Sequence, residues 1–367
     1  MTRELIEATY LATRPELDPE ELAGRIAREQ SLEIVRELIP DDIRARLLGH
    51  VLGVDRVDGH HWHLRIGYPV ELASGQLGQL FQLLYGNVSF YPRIRVTSLS
   101  LPESLLSDYP GPIGGIDGIR RITGVHDRAM LMTALKPRGS SPEHLADIAR
   151  RFALGGGDLL KDDQNLVERD IQSFLKRINL CSQSIEKSRD ITGKTCLYLP
   201  HVAGSGDHLK RQLEAVALAG LHGVVLCPWV MGLETAATAA REFELMWLAH
   251  PALAGTFTEP RDRGIATDVL LGTLARVAGA DISIFPGRGG RISSSHDDES
   301  DTCRALTSTL GSLGATLPCT GGGKRLDQVG DAGRRLGPDY AVLVGGDLLR
   351  QGDELEAATR QAIAELA

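Results

Sequence analysis

The sequence predicts a two-part α/β protein, a C-terminal (β/α)8 TIM barrel preceded by a ferredoxin-like α+β domain. From about residue 128, eight short apolar runs alternate with amphipathic helical segments, the signature of repeated βα units around one parallel sheet. Before that point the elements order as β-α-β-β-α-β. Most of the eight runs also end in glycine or charge, at the place where a barrel keeps its active site. A length of 367 residues suits two domains, divided here as 1–122 and 123–367.

In the first domain, LIEATYLA (5–12) reads as a strand and DPEELAGRIAREQ (18–30) as a helix capped by Asp18. HVLGVDRV (50–57) and WHLRIGYPV (62–70) flank Asp58-Gly59, a hairpin signal. The helix GQLGQLFQLLYGN (75–87) and the strand RIRVTSLSL (93–101) complete the unit. On that hairpin His61 and His63 share a face while His60 points away, with no third ligand at hand. The cluster therefore reads as a solvated edge.

The barrel runs are AMLMTALKP (129–137), GDLLKDD (157–163), TCLYLPHVAG (195–204), GVVLCPWVMG (223–232), LMWLAHPALAG (245–255), DISIFPGRGG (281–290), ATLPCTGGG (315–323) and YAVLVGGDLL (340–349). Helices such as 141–154 and 267–279 separate them. An open doubly wound sheet is the rival, but it does not usually need eight such regular units.

A net charge of −8 argues against nucleic acid, which needs a basic face. No apolar run reaches the roughly 18 residues that would span a membrane, and the acidic N-terminus lacks the plan of a signal peptide. Five scattered cysteines without a CxxC pair fit reduced thiols in a cytoplasmic protein. Arginine outnumbers lysine 33 to seven, and the first lysine is Lys136.

Closing the barrel brings the run ends to one mouth: Lys136 and Arg138, Lys161 to Gln164, His201, Trp229, His250, Arg288 and Arg291, Thr320 to Gly323, and Gly345 to Asp347. This is the constellation of an enzyme for an anionic substrate. Thr320, Gly321, Gly322, Gly345 and Gly346 follow strands 7 and 8, where backbone N–H groups of this fold commonly take phosphate. Asp162 and Asp163 beside Lys161 suit a hard cation such as Mg2+, provided that CO2 converts the lysine to a carbamate. An internal Lys–Asp ion pair accounts for the same pattern equally well. A metal beside a phosphorylated carbonyl compound would acidify the adjacent C–H, with Lys136 as proton carrier or as a fixed anion contact. His250 is either a proton shuttle or structural.

These residues resemble the large subunit of ribulose-bisphosphate carboxylase/oxygenase (RuBisCO), specifically its non-carboxylating RuBisCO-like, form IV relatives. LKPRG, GGGDLLKDDQN, FPGRGGR, AREQS and YGNV carry the likeness. The resemblance implies a carbamate on Lys161 and Mg2+ held by Lys161, Asp163 and the residue at Gln164. It implies proton transfer by Lys136, an active-site His250, and phosphate held by Thr320, Gly321, Gly322, Gly345 and Gly346. It further implies a homodimer in which Glu29 and Asn87 reach the partner's site. The departures are Gln164 in place of a metal-binding glutamate, Arg138 for a second lysine, Pro251 for a phosphate-binding arginine and Ile284 for a histidine. Arg291 falls near the mobile-loop lysine, and Ile34 and Val35 replace a Thr-Trp phosphate pair. So many lost bisphosphate and CO2 contacts exclude the carboxylase reaction. The expectation is enolate chemistry, by proton transfer or decarboxylation, on a phosphorylated sugar or an oxo-sugar acid gripped by Arg138, Arg288 and Arg291. Alternatives are the methylthioribulose-phosphate isomerase or the diketo-methylthiopentyl-phosphate enolase of methionine salvage, or a silent anion-binding barrel. The absence of any lysine before Lys136 weighs against the enolase.

Overall fold

Alternation in the first apolar run decides which of its faces is buried. The computed structural model describes residues 4–367. In it, strand β1 (Leu5–Thr13) buries Ile6, Ala8, Tyr10 and Ala12 on one side. It pairs antiparallel with β3 (His61–Pro69) and β4 (Ile94–Ser100), and β3 pairs with β2 (His50–Arg56), in the order β4-β1-β3-β2. Helices Pro19–Ser31 and Leu77–Tyr85 contribute buried faces to the same core, the first capped by Asp18 Oδ1 accepting from the Glu20 and Glu21 amides. This is the expected β-α-β-β-α-β unit, with one extra helix, Asp41–Leu47, that periodicity does not predict.

All eight barrel runs form parallel strands: β5 (Met130–Leu135), β6 (Leu159–Asp162), β7 (Leu197–Leu199), β8 (Gly223–Leu226), β9 (Met246–Ala249), β11 (Ile282–Pro286), β12 (Leu317–Gly321) and β13 (Ala341–Leu343). Their order is β7-β6-β5-β13-β12-β11-β9-β8, and Val225 N donating to Pro200 O at 2.8 Å joins the two ends. All six residues of β5 are buried, as both faces of a parallel strand must be when helices cover the outside.

Between β9 and β11 the chain leaves the barrel to form β10 (Gly264–Ile265), which pairs parallel with β4 of the first domain. The buried Arg95 guanidinium fastens this junction by donating to the carbonyls of Thr258, Pro260 and Arg263. Helix Gly115–Thr123 closes the other end of the barrel, where Ile116 and Ile119 join Met130, Met132 and Leu159 in one apolar cluster. It straddles the expected division at 122/123. Among the described residues no helix is long and apolar enough to cross a membrane.

Asp281 anchors that plug. Its Oδ1 accepts from the Gly114 and Gly115 amides at 2.7 Å each, and Oδ2 accepts from the Trp247 amide at 2.8 Å. Burial raises its pKa and the backbone donors oppose the rise. Gly115 has φ +55, and a Cβ there would lie 2.3 Å from the Ala315 carbonyl, so glycine alone fits. Asp281→Ala strands three N–H groups, two of them buried, and is expected to cost about 3 kcal/mol in urea unfolding. A loss below about 1 kcal/mol would show that the plug is held otherwise.

Candidate active site

Strand alternation divides the Lys-Asp-Asp sequence between two environments. Leu159 and Lys161 point into the barrel, whereas Leu160 and Asp162 face the helix layer. Asp162 is fully buried there, bound by the Arg177 guanidinium, by the Tyr198 hydroxyl at 2.9 Å and by the His201 amide at 2.9 Å. Arg177 also grips Glu168 with two hydrogen bonds, at 2.7 and 2.9 Å. Asp162 therefore braces the ends of β6 and β7 and does not belong to the cation site suggested by the charge pattern.

Lys161 lies 1% exposed in the barrel, and its Nζ donates to the Asp162 carbonyl at 2.8 Å. Among the described residues no carboxylate comes within ion-pairing distance of it. Burial lowers its pKa to about 8; nearby Asp163 opposes the shift and Lys136 reinforces it. Asp163, just past β6, pairs with Lys136 Nζ at 2.8 Å through Oδ2, and its Oδ1 accepts from the Asn165 backbone and side-chain amides. Burial pulls the Asp163 carboxyl up, but Lys136 and the Asn165 amide hold it below the usual carboxylate range.

These groups face a cavity of about 730 Å³ at the C-terminal strand ends, a size suited to a small molecule. Of the residues expected from sequence, Lys136, Lys161, Asp163, Gln164, His250, Arg291, Gly322, Gly345 and Gly346 line it. His250 Nδ1 accepts from the Ala252 amide at 3.2 Å, which leaves the proton of the neutral ring on Nε2. Burial and the charge of Lys161 depress its pKa well below 6.5, so the ring is a neutral hydrogen-bond donor.

Other expected residues lie elsewhere. Thr320 is fully buried with its hydroxyl bonded to the Tyr340 hydroxyl, and Gly321 is buried against Leu343 and Ile284. Arg138 lines a separate groove with Glu168 and Arg177, and the Arg288 side chain is exposed outside the cavity. Glu29 Oε1 accepts from Asn87 Nδ2 at 3.0 Å in the first domain, away from the cavity lining. Cys319, buried behind the glycine turn, has its thiol pushed up to about 12 by burial and is inert as a nucleophile.

The cavity has two characters. Gly322 and Gly323, with φ +91 and +90, form one end together with Arg291, Lys324 and Arg325. Arg325 is engaged by Asp327 and Arg350 by Asp347, whereas Arg291 has no carboxylate partner among the described residues. Pro251, Ala252, Ile284 and Leu343 make an apolar wall, joined by Leu271 from the π-helical stretch Asp268–Leu274. Lys324 is the residue sequence reasoning missed. The available signal was a lysine directly after three glycines in a chain with only seven lysines.

Among the described residues no three His, Cys, Asp or Glu side chains converge as a metal site. Beside Lys161 the side-chain oxygens of Asp163 and Gln164 are the ones that could hold a cation, and they are hard ligands.

The barrel mouth of this α/β protein thus combines a buried lysine, an aspartate and glycine turns. This chain is a member of the ribulose bisphosphate carboxylase large chain family: residues 2–105 match its N-terminal domain and residues 115–358 its catalytic domain. Ribulose bisphosphate carboxylase-like protein 1 of Rhodopseudomonas palustris is 36% identical over 358 residues, covering 95% of each chain. The 5-methylthioribulose-1-phosphate isomerase of Rhodospirillum rubrum is 33% identical over 365 residues, covering 99% of this chain and 96% of that one. The crystal structure of a Rubisco-like protein from Rhodopseudomonas palustris superposes with a TM-score of 0.89 at 32% identity, covering 100% of this chain and 98% of that one. The resemblance read from the motifs is thus to the right family and to its RuBisCO-like members.

The split between the two aspartates is open to test. Asp162→Ala takes from the buried Arg177 one of its two carboxylate partners and strands the Tyr198 hydroxyl and the His201 amide; it is expected to cost about 3–5 kcal/mol in urea unfolding, and Asp163→Ala less than about half of that. Equal losses would contradict the division.

Proposed function

We propose that this protein isomerises a monophosphorylated ketose by proton transfer through an enolate, with an apolar substituent on the substrate at the end away from the phosphate. The carrying observation is Lys161, a buried amine without a carboxylate partner among the described residues, facing a cavity it shares with Lys136, Asp163 and His250. The Rhodospirillum rubrum relative bears the name of such an isomerase, and the wall of Pro251, Ala252, Leu271 and Ile284 suits a methylthio group.

The donor set fits Mg2+. With an amine lowered to about 8, a useful fraction of Lys161 is unprotonated near neutral pH and open to addition of CO2, which would give a second anionic oxygen ligand beside Asp163. Gln164 Oε1 would complete the set as a neutral and weaker ligand than a glutamate. When bound, the metal would supply Lewis-acid stabilisation of the enolate oxygen. Lys136 Nζ is the proton carrier, half-buried at the mouth. His250 Nε2–H donates to a substrate oxygen as negative charge develops. Arg291 and the amides of Gly322, Gly323, Gly345 and Gly346 take the phosphate, and the apolar wall keeps water from the enolate.

Two observations favour isomerisation over the other readings. Two of the three arginines expected to grip a substrate carboxylate, Arg138 and Arg288, do not line the cavity, which speaks against an oxo-sugar acid. The chain has no lysine before Lys136, which speaks against the enolase. We take Glu29 and Asn87, which lie off their own chain's cavity lining, to complete the site of a partner in a homodimer.

With Mg2+ and bicarbonate, 5-methylthioribulose 1-phosphate in heavy water should exchange its α-proton and isomerise, followed by NMR. Lys161→Ala should lower kcat/KM by at least about 10³-fold. No exchange with this or any other ketose or oxo-acid phosphate, or exchange unchanged by Lys161→Ala, would leave a silent anion-binding barrel.

A further inference from the structure

The loop after β11 is fastened to the turn after β12 at several points. Ile292 N donates to Gly322 O at 2.8 Å and Gln328 Nε2 donates to Gly289 O at 3.2 Å, while within the loop Ser294 Oγ donates back to Pro286 O at 2.7 Å. A Cβ on Gly322 would lie 2.2 Å from the Ile292 carbonyl, and one on Gly290 would lie 2.6 Å from the Gly322 carbonyl, so the two backbones touch. A Cβ on Gly323 would lie 3.0 Å from Arg291 Cβ, so Arg291 rises directly beside the turn.

The centre of this contact is a buried charge cluster. Glu299 is fully buried and Lys324 is 2% exposed. Glu299 Oε1 accepts from the Arg288 amide at 2.9 Å, and Lys324 Nζ donates to the Arg288 carbonyl, so one ion pair holds both backbone groups of a single loop residue. The pair itself spans 3.6 Å, and Arg335 binds the other oxygen of Glu299, which gives two cations to one anion. Gly287 makes room for the pair: a Cβ there would lie 2.6 Å from Glu299 Oε1 and 2.7 Å from Lys324 Nζ. A buried ion pair contributes little net stability but fixes geometry when its remaining donors and acceptors are satisfied.

We infer that Lys324 is a positioning residue that, with Glu299, clamps the Arg288 peptide and so sets Arg291 at the anion end of the cavity. The loop after β11 is then a fixed wall of the site. This rests on the reading of that end as the phosphate site. Removing the Lys324 ammonium frees the Arg288 carbonyl, and Arg291, three residues further on and without a carboxylate partner among the described residues, loses its place.

The test measures inorganic phosphate binding to the full-length protein by calorimetry at constant ionic strength, for wild type, Lys324→Met, Arg291→Gln and the double variant. Each single variant is expected to weaken binding about tenfold, and the double variant no more than either, because Lys324 acts through Arg291. Full additivity, or unchanged binding in Lys324→Met, overturns the inference. If wild type binds no phosphate, the phosphate reading of that end falls and this role of Lys324 falls with it. Hydrogen exchange of the wild type decides the clamp separately, and does so even if Lys324→Met does not fold. Slow exchange of the Arg288 and Ile292 amides supports the clamp, and exchange at the rate of an open loop overturns it even where phosphate binds.

Discussion

A lysine amine enclosed by parallel strands, with one backbone carbonyl as its hydrogen-bond partner among the described residues, is the constraint around which this molecule is organised. Lowering the Lys161 pKa from 10.5 to about 8 corresponds to a net cost of about 3 kcal/mol for its charged form in the folded protein, with burial the largest cause. The sign follows from proton counting: between those two values the unfolded chain binds more protons, so stability rises with pH across that window. A protein that needed only a barrel core would place leucine here, as it does at Leu159, two residues before on the same face. On the proposed reading, conversion of the amine to an anion would turn a buried liability into a ligand.

The surroundings keep it so. Asp162 is the nearest carboxylate in sequence, but the two-residue period of the strand turns it outward, where Arg177, Tyr198 and the His201 amide engage it. Asp163 reaches the mouth but is occupied by Lys136 and Asn165. Removing the outward carboxylate would disturb the frame, and on the proposed reading removing the inward one would disturb the chemistry. The junction through β10 and the plug tied by Asp281 fix the same barrel from its side and its far end.

Much of this was legible in the sequence because apolar periodicity is a local signal. The eight runs and the β-α-β-β-α-β unit were visible as patterns several residues long. Strand β10 is two residues long and carries no pattern, so the fastening of the domains through Arg95 was not. At the site, the rule that strand ends converge gave positions but not directions. Lys161, Asp163 and His250 line the cavity, while Thr320 turns to Tyr340 and Arg138 to another groove. Lys324 escaped notice because its importance comes from Glu299 and the Arg288 peptide, which are distant in sequence from each other and from it.

The central claim is that Lys161 is buried in order to be carboxylated. The most direct measurement is carbon NMR of the protein in isotopically labelled bicarbonate with Mg2+, compared with Lys161→Arg. The account predicts a carbamate resonance in the wild type, strengthened by Mg2+ and missing from the variant. A wild-type spectrum without that resonance at saturating CO2 and Mg2+ would contradict it.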